Sequence, residues 1–258
     1  MHQNNRPGFA LVRGIPATFR QCINDFHTGA EIEVELAKKQ HQSYCGILEE
    51  LGLTLIRIEA DDNLPDCCFI EDTAIVIADT GIITYPGTPT RVAETVEIEK
   101  KLSTVKNIYH ITPPATIEGG DVLKIDKKIY IGNSTRTNGE GIKQVTSIIK
   151  PQGYEVIAVK ISNTLHLKSV CTYLGNNCLL VAAGFFDIKI FSDYDIIVVP
   201  KEEEYCANCL VINGTVLIPK GYKVTKSLIE EKGFTVIELD MTEIEKADGA
   251  LTCLSIIF

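Results

Sequence analysis

Four short polar stretches carry most of the chemistry this chain could do: Leu64-Pro65-Asp66-Cys67-Cys68-Phe69-Ile70-Glu71-Asp72, Thr116-Ile117-Glu118-Gly119-Gly120-Asp121, Leu165-His166-Leu167-Lys168-Ser169 and Ala247-Asp248-Gly249-Ala250-Leu251-Thr252-Cys253. Together they hold a thiol, an imidazole and several carboxylates. In one cavity, such groups suit nucleophilic catalysis: a thiolate attacks, an imidazole moves protons, and carboxylates orient the imidazole or hold a cation. Taken singly, each has a plainer reading. A histidine between two leucines fits a core position, and Cys253, just before the apolar run Leu254-Ser255-Ile256-Ile257-Phe258, fits a buried thiol. Asp66, Glu71 and Asp72 suit turns or strand edges. Arg91 and Arg136 suit the surface, or ion pairs with those acids. The chemical reading gains weight because the four stretches recur at one place in successive repeats.

The repeats are pairs of short β-rich runs around a turn, as in Thr73-AIVIADTGIITYPG, Asp121-VLKIDKKIYIG, Ser169-VCTYLGNNCLLVAAG and Cys209-LVINGTVLIPKG. Asn213-Gly214 in the last of them is a strong two-residue hairpin signal. The spacing of about 40–50 residues is that of blades in a propeller-like array. Helical periodicity follows in Glu31–Leu51, Arg91–Leu102, Gly139–Lys150 and Thr225–Gly233, and each of these leads into one further strand: Leu53-TLIRI, Asn107-IYHI, Glu155-VIAVKI and Thr235-VIELD. The predicted architecture is therefore α/β, with ββαβ-type units repeated about a circle. A fifth unit comes from the two chain ends, where Gly8-FALVRG would pair with Leu254-SIIF to complete the ring. Doubly wound folds alternate single strands with helices, so the paired strands argue against that alternative. With no linker-like or low-complexity segment, residues 1–258 are expected to form a single domain.

Composition narrows the function classes. A net charge of −9 opposes nucleic-acid binding, which needs basic surface. No run approaches the roughly 18 apolar residues of a membrane helix, and the first residues lack the features of a secretory signal. The nine cysteines are thus expected to be reduced thiols of a cytoplasmic protein. Cys206-Ala207-Asn208-Cys209 has CxxC spacing, but no second CxxC or histidine pair accompanies it, and an apolar run follows where a redox motif would begin a helix. These cysteines read as buried thiols.

LPDCCFIEDTAIV, IEGGDV, TRTN, LHLKS and DGALTCLS, in this order and at these spacings, together resemble the dimethylarginine dimethylaminohydrolase family of guanidine-modifying enzymes, within the pentein superfamily. The resemblance runs from GFALVRGIP to the final strand. It implies a five-bladed α/β propeller with pseudo-fivefold symmetry and the site on its axis. It also implies hydrolysis of methylated arginines (asymmetric dimethylarginine, monomethylarginine) to citrulline and an alkylamine, through a thiouronium on the cysteine. Residue by residue, it makes Cys253 the nucleophile, His166 the general acid and base, and Glu118 the carboxylate that orients the imidazole and holds the guanidinium. It places Asp72 on the guanidinium nitrogens with Glu71 beside it, and Asp66 on the substrate α-ammonium. Arg91 and Arg136 would grip the α-carboxylate, Ala247 would offer a backbone carbonyl, and Phe69 would line the channel for the methylenes. Phe19-RQCINDFHTGAEIE corresponds to the family's mobile lid, with Asn24, where some members have leucine, expected to reach substrate through its backbone. The implied chemistry needs no metal or organic cofactor, and the partner is a small molecule; monomer and homodimer both remain open. Arginine deiminases and amidinotransferases are the nearest alternatives. A non-catalytic binding protein of the same superfamily is opposed by the intact Cys253, His166 and Glu118.

Overall fold

The computed structural model describes residues 8–27, 29 and 31–258. Its elements follow one another in the repeating order the sequence suggests. The first blade contributes β1 (Phe9–Arg13), α1 (Val34–Glu50) and β2 (Thr54–Ile58). Next come β3 (Ala74–Ile77), β4 (Thr80–Ile83), α2 (Thr95–Leu102) and β5 (Asn107–His110), then β6 (Val122–Ile125), β7 (Lys128–Asn133), α3 (Gly139–Ile149) and β8 (Glu155–Lys160). The fourth blade is β9 (Cys171–Gly175), β10 (Cys178–Val181) and β11 (Asp195–Val198), and the fifth β12 (Leu210–Ile212), β13 (Thr215–Pro219), α4 (Lys223–Glu231) and β14 (Thr235–Leu239). A short α5 (Thr242–Lys246) and β15 (Ser255–Ile257) end the chain.

These strands make five three-stranded sheets, β15-β1-β2, β3-β4-β5, β6-β7-β8, β9-β10-β11 and β12-β13-β14. In every sheet the middle strand pairs antiparallel on one side and parallel on the other. The hairpin makes the antiparallel pair, whereas a parallel return requires a crossover, which a helix usually provides. The turn between β12 and β13 meets the geometric demand of a two-residue loop, with Asn213 at φ 50° and Gly214 at φ 89°. The first sheet draws on both chain ends: Ala10, Leu11 and Val12 lie opposite Ile257, Ile256 and Ser255.

Apolar residues divide into five packets, each shared by two consecutive blades. One lies between the fifth blade and the first (Val12, Tyr44, Leu48, Leu217), and the next between the first and second (Leu11, Ile83, Ile98, Ile256). Three more lie between blades two and three, three and four, and four and five. Every blade thus packs on two neighbours, and the chain is a five-bladed α/β propeller. The fourth blade departs from the sequence pattern. Its crossover holds a 3-10 turn, Ile188–Phe191, instead of a helix, and its third strand, β11, carries the run Ile196-Ile197-Val198 that no helical signal precedes. Phe191 fills the space a helix would otherwise cover, fully buried and 4.7 Å from the Tyr130 ring.

Four of the 3-10 turns occupy the same place in their blades, immediately before the outer antiparallel strand: Ile70–Thr73 before β3, Gly119–Asp121 before β6, Leu167–Ser169 before β9 and Thr252–Leu254 before β15. The four polar stretches therefore meet near the axis. The last is held by β15, whose Ser255 hydroxyl lies 2.7 Å from the Tyr44 hydroxyl in the core. Ile256, 5% exposed, anchors the same strand. Ile256→Ala should cost about 2–5 kcal/mol of folding free energy, as large-to-small core changes do. Urea denaturation would read this, and a loss below about 1 kcal/mol would mean that the chain end adds little to the fold.

Candidate active site

Cys253, His166, Glu118, Asp72, Asp66, Phe69, Arg91, Arg136 and Ala247 all line one cavity, as the sequence led one to expect. Glu118 is fully buried and His166 only 4% exposed. The imidazole Nε2 lies 2.7 Å from Glu118 Oε2 and 3.8 Å from Asp72 Oδ1. The other Glu118 oxygen accepts the Gly87 N–H at 3.0 Å. Desolvation opposes a charged imidazole here, but Asp72, the Glu118 hydrogen bond and Asp121 outweigh it and lift His166 to about 9. The ring is therefore an imidazolium at neutral pH. Burial likewise works against the Asp72 carboxylate, yet His166 and Arg91 hold it below its usual range.

The IEGGDV stretch builds this arrangement through what it omits and what it supplies. A Cβ on Gly119 would lie 2.0 Å from the Glu71 carbonyl oxygen, and one on Gly120 would lie 2.6 Å from His166 Nδ1 and 2.9 Å from Asp72 Oδ1. With no side chain in the way, the Gly120 N–H donates to Asp72 Oδ1 at 3.0 Å. Asp121 then ties the histidine's own turn in place, accepting from the Leu167 N–H at 2.9 Å and the Ser134 hydroxyl at 2.6 Å.

Cys253 sits half-buried on the cavity wall. Burial, then the negative charges of Glu71 and Asp72, push its thiol well above the ordinary value, with Lys168 pulling only weakly the other way. The resting thiol is neutral, and a cation entering beside it would favour its ionisation. Arg136 has its Nη1 4.0 Å from Glu118 Oε1 and donates to Asp25 Oδ2 at 3.0 Å and to the Thr88 hydroxyl. Asp66 accepts the Ile23 N–H at 3.0 Å, and burial raises its carboxyl above the ordinary value. Ile23 and Asp25, from the segment that carries these contacts, line the cavity as well. Asp248, in left-handed backbone at φ 55°, accepts from the Asp25, Phe26 and His27 amides at 2.5, 2.8 and 3.2 Å and from His27 Nδ1 at 2.6 Å. The cavity is small, with a volume of about 30 Å³.

Three expectations need correction. Glu71 does not face this cavity. Its carboxylate turns to the Lys168 ammonium and, at 2.7 Å, to the Thr252 hydroxyl, and it borders a separate cavity with Gly119, Val122 and Ser255. Of Glu71 and its neighbour Asp72, Asp72 lines the cavity and Glu71 does not. Asn24 does not line the cavity either. Its amide donates to the carbonyls of Lys246 and His27 at 2.5 and 2.8 Å, while Ile23 and Asp25 on either side do line it. Arg91, expected to grip the α-carboxylate with Arg136, is largely committed to other partners. Nε and Nη2 bind the Glu94 carboxylate at 2.9–3.2 Å, Nη2 also binds the Phe69 carbonyl at 2.9 Å, and Nη1 binds Asp72 Oδ2 at 2.8 Å. One Nη1 hydrogen stays uncommitted. Sequence reasoning missed Ile23, Asp25, Leu165, Asp248 and Gly249 in the lining, although all five belong to stretches it had singled out.

Asp72, Glu118 and His166 are also the one group of potential metal ligands among the described residues, their donor atoms lying within 4.8 Å of one another. The imidazolium proton already occupies that position at neutral pH, so a metal would have to displace it. All nine cysteines are free thiols, and both members of the CxxC, Cys206 and Cys209, are fully buried.

Residues 18–257 match the family model described as N,N dimethylarginine dimethylhydrolase, eukaryotic. The chain is 37% identical over 227 residues to the N(G),N(G)-dimethylarginine dimethylaminohydrolase of Pseudomonas aeruginosa, covering 86% of this chain and 88% of that one. Among solved structures, a cysteine-to-serine mutant of the Pseudomonas aeruginosa enzyme complexed with citrulline superposes with a TM-score of 0.95 at 32% identity, over 98% of this chain and all of the other. A histidine-to-glycine form of dimethylarginine dimethylaminohydrolase, as an adduct with S-methyl-L-thiocitrulline, superposes at 0.94 and 33%, with 98% of this chain covered.

The contact of Gly120 with the imidazole can be tested directly. A methyl group there should drive His166 off Glu118, so in Gly120→Ala the histidine should titrate nearer the ordinary value of about 6.5 than about 9. NMR titration of the ring would read the change, and an imidazole still titrating near the higher value would refute the steric account.

Proposed function

The chain belongs to the dimethylarginine dimethylaminohydrolase family, and from that premise we infer that it hydrolyses N(omega)-methylated arginines to citrulline and dimethylamine or methylamine. The observation that carries this reading is the His166 imidazole, its Nε2 2.7 Å from Glu118 and 3.8 Å from Asp72, in the same cavity as Cys253. The guanidinium carbon is a poor electrophile because its charge is delocalised. It calls for a strong nucleophile and a leaving amine made better by protonation.

In this reading Glu118 and Asp72 bind the planar cation by charge-assisted hydrogen bonds. The cation's arrival beside Cys253 favours the thiolate, whose proton passes to solvent. The thiolate Sγ forms a bond to the guanidinium carbon. His166, charged at neutral pH, gives its proton to the departing dimethylamine as the C–N bond breaks. The thiouronium left on Cys253 is then attacked by water, from which the now neutral His166 takes a proton. As the C–S bond breaks, the remaining hydroxyl proton passes to the departing Cys253 sulfur, so citrulline leaves and the neutral thiol returns. Arg136, with the uncommitted Nη1 hydrogen of Arg91, receives the α-carboxylate, and Asp66 receives the α-ammonium. Phe69, tilted against Phe19 with ring centroids 5.7 Å apart, flanks the methylenes, and the backbone carbonyl of Ala247 completes the contacts. No step calls for a metal or organic cofactor.

Among the described residues no helix is long and apolar enough to cross a membrane. A cytoplasmic setting, which keeps thiols reduced, accords with a mechanism that needs Cys253 free.

Citrulline release from dimethylarginine, monomethylarginine and arginine, measured side by side, tests the reading; turnover of arginine in preference to both methylated forms would overturn it. Cys253→Ser should abolish turnover in a folded protein, since a hydroxyl without a strong base is a far poorer nucleophile. Citrulline production within tenfold of the parent enzyme would remove Cys253 from the mechanism. The segment that carries Asp25 generates a second expectation. Asp25 occupies Arg136 with a carboxylate that substrate must replace. Asp25→Asn should lower KM for dimethylarginine roughly two- to fivefold, the scale of a partly exposed ion pair. A raised KM would show that Asp25 assists binding rather than competing with it.

A further inference from the structure

Glu94 is a carboxylate with no part in the reaction as described, yet it is 2% exposed and sits one ion pair away from the reacting groups. Its two oxygens take Nε and Nη2 of Arg91, which leaves Nη1 for Asp72 Oδ2 and the remaining Nη2 hydrogen for the Phe69 carbonyl. Asp72 is therefore held by a single N–H of Arg91, and its Oδ1 faces Gly120 N–H and the imidazolium. Planar guanidinium and carboxylate groups pair best two bonds at a time. Without the charge on Glu94, only the Phe69 carbonyl would oppose Arg91 turning that paired geometry onto Asp72, which would take up the oxygen a substrate guanidinium needs.

We propose that Glu94 is a positioning residue: by taking the forked face of Arg91, it limits Arg91 to one bond with Asp72 and keeps the other Asp72 oxygen available to substrate. The inference rests on the functional reading above and deepens it by naming a residue that sets substrate affinity without touching substrate. The groups facing Glu94 are Arg91 on its own turn and Asp66, Cys67, Cys68 and Asp72 on the loop packed against it. Burial lifts Glu94 to about 7 despite Arg91, with Asp66 and Asp72 adding to the rise. The device is thus charged above that pH and neutral below it.

The test compares kcat/KM for dimethylarginine in the parent enzyme and in Glu94→Gln between pH 5.5 and 9, as a ratio, so that titrations common to both cancel. Above pH 7 the parent carries the charge and the variant does not, and the ratio should be about tenfold or more, mainly through KM. Below pH 7 the parent becomes neutral at this position too, and the ratio should fall toward one. A ratio that stays constant across the range, whether near one or large, would overturn the proposal, since a merely structural carboxylate would cost activity at every pH. Should Glu94→Gln fail to fold, Glu94→Asp serves instead. Its shorter carboxylate reaches one nitrogen rather than two, so its smaller deficit should also close below pH 7, and a deficit that does not close would be equally fatal. Parent enzyme that releases no citrulline from any of the three arginines would sink the functional reading, whereas a flat ratio in an active enzyme sinks only the role of Glu94.

Discussion

Asp72 lies between two cations and out of water, with Arg91 on one oxygen at 2.8 Å and His166 3.8 Å from the other. Much of the structure around it serves to make that placement tolerable. Burying such charges costs several kcal/mol each unless geometry and hydrogen bonding offset the loss of solvation. Here the offset comes from partners on three separate chain segments: Gly120 N–H on Asp72 with its neighbour Asp121 holding the histidine's turn, Gly87 N–H on Glu118, and the Glu94 carboxylate on Arg91. None of these segments could be supplied by a single sheet. They are brought together because five small sheets each begin with a turn near a common axis, so the repeat delivers one or two polar groups per blade to one place.

That repeat is also why so much of the site was legible before any coordinates. Hairpin turns, helix periodicity and blade spacing are local properties, and they put Glu118, His166 and Cys253 at equivalent positions in successive units. Illegible were the directions side chains take within a turn. Glu71 and Asp72 are neighbours in sequence with the same chemistry, yet one pairs with Lys168 on the far side while the other faces the cavity. Asn24 was read as reaching substrate through its backbone, but its neighbours Ile23 and Asp25 line the cavity while it does not, its side-chain amide going to the Lys246 and His27 carbonyls. The fourth blade hid its third strand because a 3-10 turn with Phe191, which leaves no helical period, replaced the expected helix. Arg91 carried a signal that was not used: an acid three residues on, at Glu94, is the i,i+3 spacing of an ion pair.

The charge pattern of the resting cavity has its own logic. An imidazolium stands against Asp72 and Glu118, and the Asp25 carboxylate stands against Arg136, whose Nη1 is itself 4.0 Å from Glu118 Oε1. On the proposed reading, a methylated arginine brings the same two charges, a delocalised cation toward Glu118 and Asp72 and a carboxylate toward Arg136. The protein's own groups therefore satisfy both places when no ligand is present, which spares the buried charges from standing unpaired. The two places differ in how they yield. Asp25 is on an exposed segment, its side chain 59% accessible, and can leave Arg136 with the segment that carries it. His166 cannot leave, being fixed through Glu118 and Asp121, so it must share the carboxylates with the incoming guanidinium. A second cation beside Asp72 and Glu118 destabilises the imidazolium and favours release of its proton. The departing amine is the group that needs that proton, so substrate binding would prime the acid that acts on it.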